Sequence, residues 1–332
     1  MTYDQILADL KNRIYYPVYL FHGEEPYFID VLSDFIEEQV LTETEKEFNQ
    51  TVLYGKDVDA PTIISYALRY PMMANYHVMI IKEAQDVTDL DALTPYVQQP
   101  LSSTLLVLCY KYGKFDKRRS LAKAVDKNGV LFEFPRMYDN KIPSWIEEYV
   151  KARKYSITLK TACMLTEFLG ADLSKIANEI QKLIINIPEG TQINEDLVEK
   201  NIGISKDYNV FELQKALGAR EIFKANQIIR YFGANPRENP LVKVIPILYS
   251  FFSKVLLYQH LPDPSRNNAA AALGVHPFFL QDYQLTAKNY PARKIVSIIS
   301  ILREYDLKSK GVDNISATDG ELMKEMIYRI LH

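Results

Sequence analysis

Cysteine, glycine and tryptophan are scarce in this chain of 332 residues, which contains 2, 12 and 1 of them. Two cysteines are too few for a disulfide scaffold or a four-cysteine zinc site. The low glycine content argues against an all-β fold with many glycine turns, and the apolar fraction of 48% excludes a disordered or low-complexity chain. The length and composition therefore indicate about two domains, each with a hydrophobic core of its own.

Long hydrophobic runs are also lacking. The run that comes nearest to a membrane span, Val244–Ser253, lies between Lys243 and Lys254 and is shorter than the ~20 residues that a membrane helix needs. The first residues have neither the basic nor the apolar region of a signal peptide. We therefore expect a cytoplasmic protein with reduced thiols and no membrane contact.

The charge is distributed unevenly along the chain. Residues 1–140 carry 14 Lys/Arg and 21 Asp/Glu, whereas residues 141–332 carry 25 and 21. This change of sign predicts separate domains with different partners. The excess of four positive charges in the second part is too small to indicate a dedicated nucleic-acid-binding protein.

Short β-branched and apolar runs alternate with helical patterns in the first part of the chain. The predicted strands are residues 18–21, 51–54, 77–81, 104–108 and 130–134. Crossover-length helices between them predict a parallel sheet, and the wholly apolar runs 78–81 and 105–108 are typical of central strands. After Pro135 the strand signals stop and helical periodicity continues to the end. We therefore predict an α/β domain (1–140), a small helical domain (141–208) and a larger helical domain (209–332).

A nucleotide-binding site is not encoded at the end of the first predicted strand. A phosphate-binding loop needs glycines, a lysine and a following Ser or Thr. This chain instead continues as Gly23-Glu24-Glu25-Pro26, which puts two carboxylates where phosphate oxygens would bind. At the end of the third strand, where an ATPase has an Asp-Glu pair, the chain has Lys82-Glu83.

Other catalytic motifs are missing as well. The sequence has no H-E-x-x-H, C-x-x-C or G-x-S-x-G pattern, and its five histidines are scattered. Cys109 and Cys163 lie in apolar surroundings that are typical of small core residues. We therefore predict no catalytic residues, no metal site and no cofactor.

The segment Leu68–Tyr76, between the second helix of the sheet domain and the third strand, does not fit an ordinary surface connection. Pro71 disfavours helical geometry at Tyr70, so the helix should end there. Met72 and Met73 follow, although loops are normally polar. Either the two methionines fill gaps under the sheet, or they protrude as a flexible apolar plug for a partner's groove. In the second case the plug would have a rim of tyrosines, Tyr70 and Tyr76.

The order of these elements and several short motifs resemble the delta subunit of the bacterial DNA polymerase III clamp loader. The resemblance covers essentially the whole chain. The motifs that carry it are Tyr19–Phe28, Leu68–Ala74, Leu169–Leu183, Val210–Leu213 and Tyr305–Gly311.

The resemblance implies an AAA+ fold with a degenerate nucleotide site, followed by a small helical lid domain and a C-terminal helical collar domain. In that family an apolar pair, often Leu-Phe, inserts into a pocket of the sliding clamp, and this pair maps onto Met72 and Met73. The clamp-binding residues implied by the resemblance are Leu68, Tyr70, Pro71, Met72 and Met73.

The function implied by the resemblance is mechanical, because the subunit would bind the clamp and open the ring or hold it open. ATP would be hydrolysed by sister subunits of the tau/gamma and delta prime type, and primed DNA would pass through the assembly. Arg303, Lys308 and Lys310 are candidate DNA contacts. Two other interpretations stay open: an atypical NTP hydrolase, which would have to bind ATP, and a non-catalytic helical scaffold, which would have no affinity for a clamp.

Overall fold

A computed structural model of the protein describes residues 1–203, 205 and 207–332. Residues 204 and 206, which belong to the predicted small helical domain, lie outside the described residues. The chain divides into two compact units, Met1–Met137 and Tyr138–His332. The division into domains 1–140, 141–208 and 209–332 stays a prediction.

The first unit contains a five-stranded sheet in the order β2-β3-β4-β1-β5, and all of its pairings are parallel. Its strands are β1 (Val18–Gly23), β2 (Gln50–Tyr54), β3 (His77–Lys82), β4 (Thr104–Lys111) and β5 (Val130–Phe134). All five predicted strands are confirmed, with ends that differ by at most three residues. The two runs predicted to be central, in β3 and β4, are fully buried there.

Six helices accompany this sheet: α1 (Tyr3–Lys11), α2 (Pro26–Gln39), α3 (Glu43–Asn49), α4 (Ala60–Ala67), α5 (Thr94–Gln98) and α6 (Ser120–Asn128). Strand side chains alternate between two apolar clusters, as the period of a strand requires. Val18 and Leu20 pack in a cluster with residues of α4, α5 and α6. Tyr19 and Phe21 pack in another with residues of α1 and α2. The sheet is therefore covered on both faces.

The second unit is almost entirely helical. Its helices are α7 (Ile142–Lys151), α8 (Leu159–Leu169), α9 (Leu173–Ile185), α10 (Glu195–Ile202), α11 (Val210–Gly218), α12 (Ile222–Ala234), α13 (Leu241–Gln259), α14 (Arg266–Leu273), α15 (Leu280–Asn289), α16 (Ala292–Ser309) and α17 (Asp319–Leu331). The expectation that strands stop after Pro135 is wrong in one detail, because β6 (Ser156–Ile157) pairs with β7 (Gln192–Ile193). These strands are too short to show a period of two residues, so no apolar pattern in the sequence predicts them.

The helix α13 is longer than the apolar run Val244–Ser253 suggested. It spans 19 residues, and among the described residues it is the one helix that is long and apolar enough to cross a membrane by composition. Leu248, Phe252 and Val255 are fully buried in the main cluster of this unit, together with residues of α16. One face of the helix is therefore buried in the core of this unit, while other residues of it, such as Val242 and Tyr249, are exposed.

Candidate functional site

The connection between α4 and β3 exposes a group of apolar side chains. Its helix ends at Ala67, three residues before Tyr70, the end predicted from Pro71. Met72 is 63% exposed and Met73 is fully exposed, so the alternative in which the two methionines fill gaps under the sheet is wrong. Leu68 and Tyr70 are also exposed, whereas Pro71 is half-buried. Four of the five side chains named as clamp-binding residues are thus exposed within one short segment, Leu68–Met73, which also contains the exposed Arg69.

The backbone of this segment is held by Asn49, a residue that the sequence analysis missed. The Asn49 side chain accepts a hydrogen bond from the Met72 N–H at 2.6 Å and donates one to the Met72 carbonyl at 2.9 Å. It donates another to the Glu45 carbonyl at 3.0 Å, and it is 1% exposed. A single buried amide therefore fixes the main chain directly below the two methionine side chains. Nothing in the sequence around Asn49 connects it with a residue 23 positions away.

Both ends of the segment are also anchored. At its start, the Ala67 carbonyl accepts a hydrogen bond from the Thr104 hydroxyl at 2.9 Å. After its end, the Tyr76 ring packs against Tyr15 with centroids 5.3 Å apart, so Tyr76 is half-buried against the core rather than part of an exposed rim. Met73 adopts a left-handed backbone conformation with φ of 54°, which long side chains rarely adopt. Strained residues of this kind cluster at functional sites.

The carboxyl edge of the sheet is where open α/β sheets bind nucleotides. Gly23, at the end of β1, has φ of 144°, and a Cβ atom there would lie 2.0 Å from the Phe134 carbonyl oxygen. The buried Glu25 follows as the N-cap of α2, where its carboxylate accepts a hydrogen bond from the Tyr27 N–H at 3.4 Å. Since helix N-termini are natural anion sites, the position that a phosphate would take already holds a carboxylate.

Two lysines at this edge are engaged by carboxylates. Lys111 Nζ, at the end of β4, lies 2.8 Å from Asp30 and 3.0 Å from Glu83. Burial by itself lowers the pKa of Lys111, but the hydrogen bonds to the two carboxylates outweigh it and raise the pKa above its ordinary value. Lys82 Nζ lies 2.7 Å from Asp34 in the same way. The edge is therefore held together by internal ion pairs.

The candidate DNA contacts lie at the C-terminal half and end of α16. Lys308 Nζ lies 2.9 Å from Glu304, and Lys310 Nζ lies 2.7 Å from Asp306. Arg303 is exposed and has no ion pair with any residue that the structure describes. Two of the three cations are thus already compensated by neighbouring carboxylates, whereas Arg303 presents its charge to solvent.

Residues 19–135 match a family model described as DNA polymerase III, delta subunit. The DNA polymerase III subunit delta of Bacillus subtilis (strain 168) is 26% identical over 322 residues, which are 93% of this chain and 92% of that protein. The solved structure of the Bacillus subtilis DNA clamp loader delta protein is 23% identical, covers 99% of both chains and has a TM-score of 0.62.

These likenesses agree with the fold described above. The predicted architecture, a five-stranded parallel α/β unit followed by helices, is confirmed. The sequence match includes β1, the turn at Gly23–Glu25 and the whole exposed segment Leu68–Met73. The sequence match over residues 19–135 and the relative that spans nearly the whole chain thus bear out the predicted resemblance to the delta subunit of DNA polymerase III.

Proposed function

We propose that the chain is a non-catalytic subunit of a clamp loader and binds the sliding clamp through the segment Leu68–Met73. The observation that carries this proposal is the exposure of Met72 and Met73 above a backbone that Asn49 holds in place. Such an arrangement presents two long apolar side chains without leaving the loop free to collapse.

The two methionines are suited to a pocket on a partner. Burying one exposed Met side chain contributes about 1.5–3 kcal/mol, and binding energy at interfaces is concentrated in a few such anchors. Methionine is flexible and polarisable, so it adapts to a groove of irregular shape. Leu68, Tyr70 and Pro71 would surround the inserted pair and exclude water.

Binding must also change the shape of the clamp if the ring is to open. A ligand shifts a conformational equilibrium only by its differential affinity for the two states. The segment Leu68–Met73 would therefore bind a protomer of the open ring more tightly than one of the closed ring. A fluorophore pair placed across one interface of the clamp would report this opening directly.

The energy source would lie in other subunits. Glu25 at the N-terminus of α2 and the ion-paired Lys111 leave no phosphate cradle at the sheet edge, which supports ATP hydrolysis by sister subunits of the tau/gamma and delta prime type. The second unit exposes many apolar side chains that a helical collar with those subunits would cover, among them Ile222, Phe223, Tyr249, Val296, Ile315 and Tyr328. Primed DNA would pass within this cytoplasmic assembly, with Arg303 as the leading candidate contact and Lys308 and Lys310 as weaker ones.

The test is calorimetric binding of the purified chain to the sliding clamp of the same organism, with wild type and the double variant Met72→Ala/Met73→Ala. We expect the double variant to bind at least about 30-fold more weakly, because two anchors of about 1 kcal/mol or more each are lost. Its stability should stay within about 0.5 kcal/mol of wild type, since both side chains are exposed.

A matched control is Ile315→Ala, which removes a fully exposed apolar side chain from the second unit. This variant should bind the clamp as wild type does. Full-strength binding by a folded Met72→Ala/Met73→Ala variant would refute the assignment of the segment.

A further inference from the structure

A cavity of about 340 Å³ lies within the second unit. Its walls come from α8, α11, α13, the turn that follows α14, and α15, and its lining includes Glu167, Gln214, Lys254, Val275 and Tyr283. The volume falls in the range of small-molecule sites, roughly 300–1,000 Å³. These lining residues come from both sides of the predicted boundary at residue 208, so an occupant would contact both predicted helical parts.

Two charged side chains that line the cavity lack partners. The Glu167 carboxyl on α8 and the Lys254 ammonium on α13 are both half-buried, and neither has a hydrogen bond or ion pair with any described residue. The Oδ1 atom of Asn140, another lining residue, is buried without a hydrogen-bond partner in the described part of the chain. Since buried polar groups are normally satisfied, the buried Asn140 Oδ1 atom beside two half-buried charged side chains points to a missing occupant.

The Glu167 and Lys254 side chains both offer hydrogen-bond donors to an occupant of the cavity. Burial raises the pKa of Glu167 to about 8, so at neutral pH this carboxyl is mostly protonated and can donate a hydrogen bond. Burial also lowers the pKa of Lys254, although Asp139 and Glu167 oppose this effect. The other titratable groups that act on Glu167 or line the cavity are Asp139, Cys163, Glu212, Lys215, His276, Asp282 and Tyr283.

The remaining lining is largely apolar and aromatic. Phe211, Phe251, Phe279 and Tyr283 line the cavity together with Val275. Their rings would contact an apolar body, while Glu167 and Lys254 would hold a polar end. This combination is typical of small-molecule sites, where a few polar groups orient a ligand that is otherwise buried among apolar side chains.

We propose that the cavity binds a small organic monocarboxylate whose apolar body packs on the aromatic wall and whose carboxylate meets the Lys254 ammonium and the Glu167 carboxyl. The ammonium supplies the countercharge and the carboxyl supplies a hydrogen bond, so the two charged side chains of the cavity, Lys254 and Glu167, are satisfied together. A neutral ligand would leave Lys254 without a counterion, and a cationic ligand would be repelled by it.

The test uses phenylacetate as the probe and the full chain, with binding followed by calorimetry and ligand-observed NMR. We expect a dissociation constant on the order of 0.1–1 mM at pH 6.5, which is usual for a ligand of this size. Binding should weaken about tenfold by pH 9, because ionised Glu167 repels the carboxylate. The neutral analogue phenylacetamide and the cation phenethylammonium should bind at least tenfold more weakly than phenylacetate at pH 6.5.

Two variants separate the roles of the polar groups. Lys254→Met should weaken phenylacetate binding at least tenfold, whereas Lys243→Met, which changes an exposed lysine of the same helix, should leave it unchanged. Glu167→Gln donates a hydrogen bond at every pH, so it should bind as wild type at pH 6.5 and about tenfold more tightly than wild type at pH 9. Stronger binding of phenethylammonium, full affinity in folded Lys254→Met, or no binding of phenylacetate at all would overturn the proposal.

Discussion

Asn49 meets both polar groups of the Met72 backbone with one side-chain amide. An amide is the side chain with a donor and an acceptor at this spacing, whereas an ionised carboxylate only accepts and an aliphatic side chain does neither. In the proposed contact with the clamp, the exposed methionines would contribute the contact surface, and the buried Asn49 would fix the position of their backbone. The same division of roles would make Asn49 a positioning residue in clamp binding.

At the residue scale we therefore predict the effect of Asn49→Ala. The loss of its hydrogen bonds should lower the free energy of unfolding by about 1–2 kcal/mol. Clamp affinity should fall roughly tenfold, because ordering the released backbone on binding costs about 1–2 kcal/mol per residue. Urea denaturation and calorimetry measure the two quantities.

The control for this variant is Asn226→Ala. Asn226 is an exposed asparagine on α12 whose side chain donates to a carbonyl four residues earlier. Its substitution should leave clamp affinity unchanged. Wild-type clamp affinity of Asn49→Ala would show that binding does not depend on the hydrogen bonds between Asn49 and the Met72 backbone.

At the element scale, close contact between α11 and α15 depends on the lack of a side chain at Gly218. A Cβ atom there would lie 2.2 Å from the Thr286 hydroxyl, and Thr286 is buried and donates to the Asp282 carbonyl at 2.7 Å. The two helices contribute to the wall of the cavity that holds Glu167. The packing of this pair thus bears on the proposed ligand site as well as on stability.

We predict that Gly218→Ala lowers the free energy of unfolding by about 1–3 kcal/mol, the usual cost of overpacking a core. Adding Thr286→Ala should restore part of the loss, because it removes the hydroxyl that the new methyl group meets. Gly113→Ala is the control, since the nearest atom to its Cβ would be 3.8 Å away. Equal stability of Gly218→Ala and wild type in urea denaturation would contradict this account of the helix contact.

At the scale of the whole molecule, each unit contains a titratable side chain whose pKa is shifted by burial, and the two shifts favour the neutral forms of a base and of an acid. In the first unit, burial lowers the pKa of His22 to about 4, while its Nδ1 accepts a hydrogen bond from the Phe115 N–H at 3.1 Å. The unfolded chain therefore binds the extra proton first as the pH falls below about 6.5. In the second unit, the raised pKa of Glu167 means that the folded state holds a proton that the unfolded chain releases.

These shifts predict pH dependences of opposite sign. Between pH 7 and pH 5 the first unit should lose about 2 kcal/mol, because its buried histidine must stay neutral while the unfolded one becomes charged. The second unit should instead lose stability as the pH rises from 5 to 9, with about 1 kcal/mol of the loss between pH 7 and pH 9, because its folded state holds the Glu167 proton that the unfolded chain releases. Trp145, the single tryptophan, lies in the second unit, so its fluorescence reports that unit while circular dichroism reports both.

A control variant assigns the alkaline change. Glu167→Gln should abolish the loss that the second unit shows as the pH rises, including the part between pH 7 and pH 9, and leave the acid loss of the first unit intact. The unfolding transitions followed by tryptophan fluorescence and by circular dichroism could instead change together over the whole pH range. In that case the pKa shifts of His22 and Glu167 do not act on separate units.

Local patterns predicted much of this architecture. The apolar runs that became β3 and β4 could be recognised because central parallel strands are buried on both faces. The end of α4 was predicted three residues late. The sequence showed that Pro71 disfavours a helix, but it did not show that the Ala67 carbonyl accepts a hydrogen bond from the distant Thr104 hydroxyl. β6 and β7 were missed because two residues carry no periodicity.

The sequence by itself determined the missing phosphate loop, the carboxylates at Glu24 and Glu25, and the unusual apolar pair at Met72 and Met73. These features depend on residue types at short spacing, which a linear chain displays directly. Only the tertiary structure decided that the methionines protrude, since this depends on Asn49, which lies 23 residues earlier. The cavity around Glu167 and Lys254 likewise exists only after distant helices pack, because burial and the lack of partners are properties of three-dimensional surroundings.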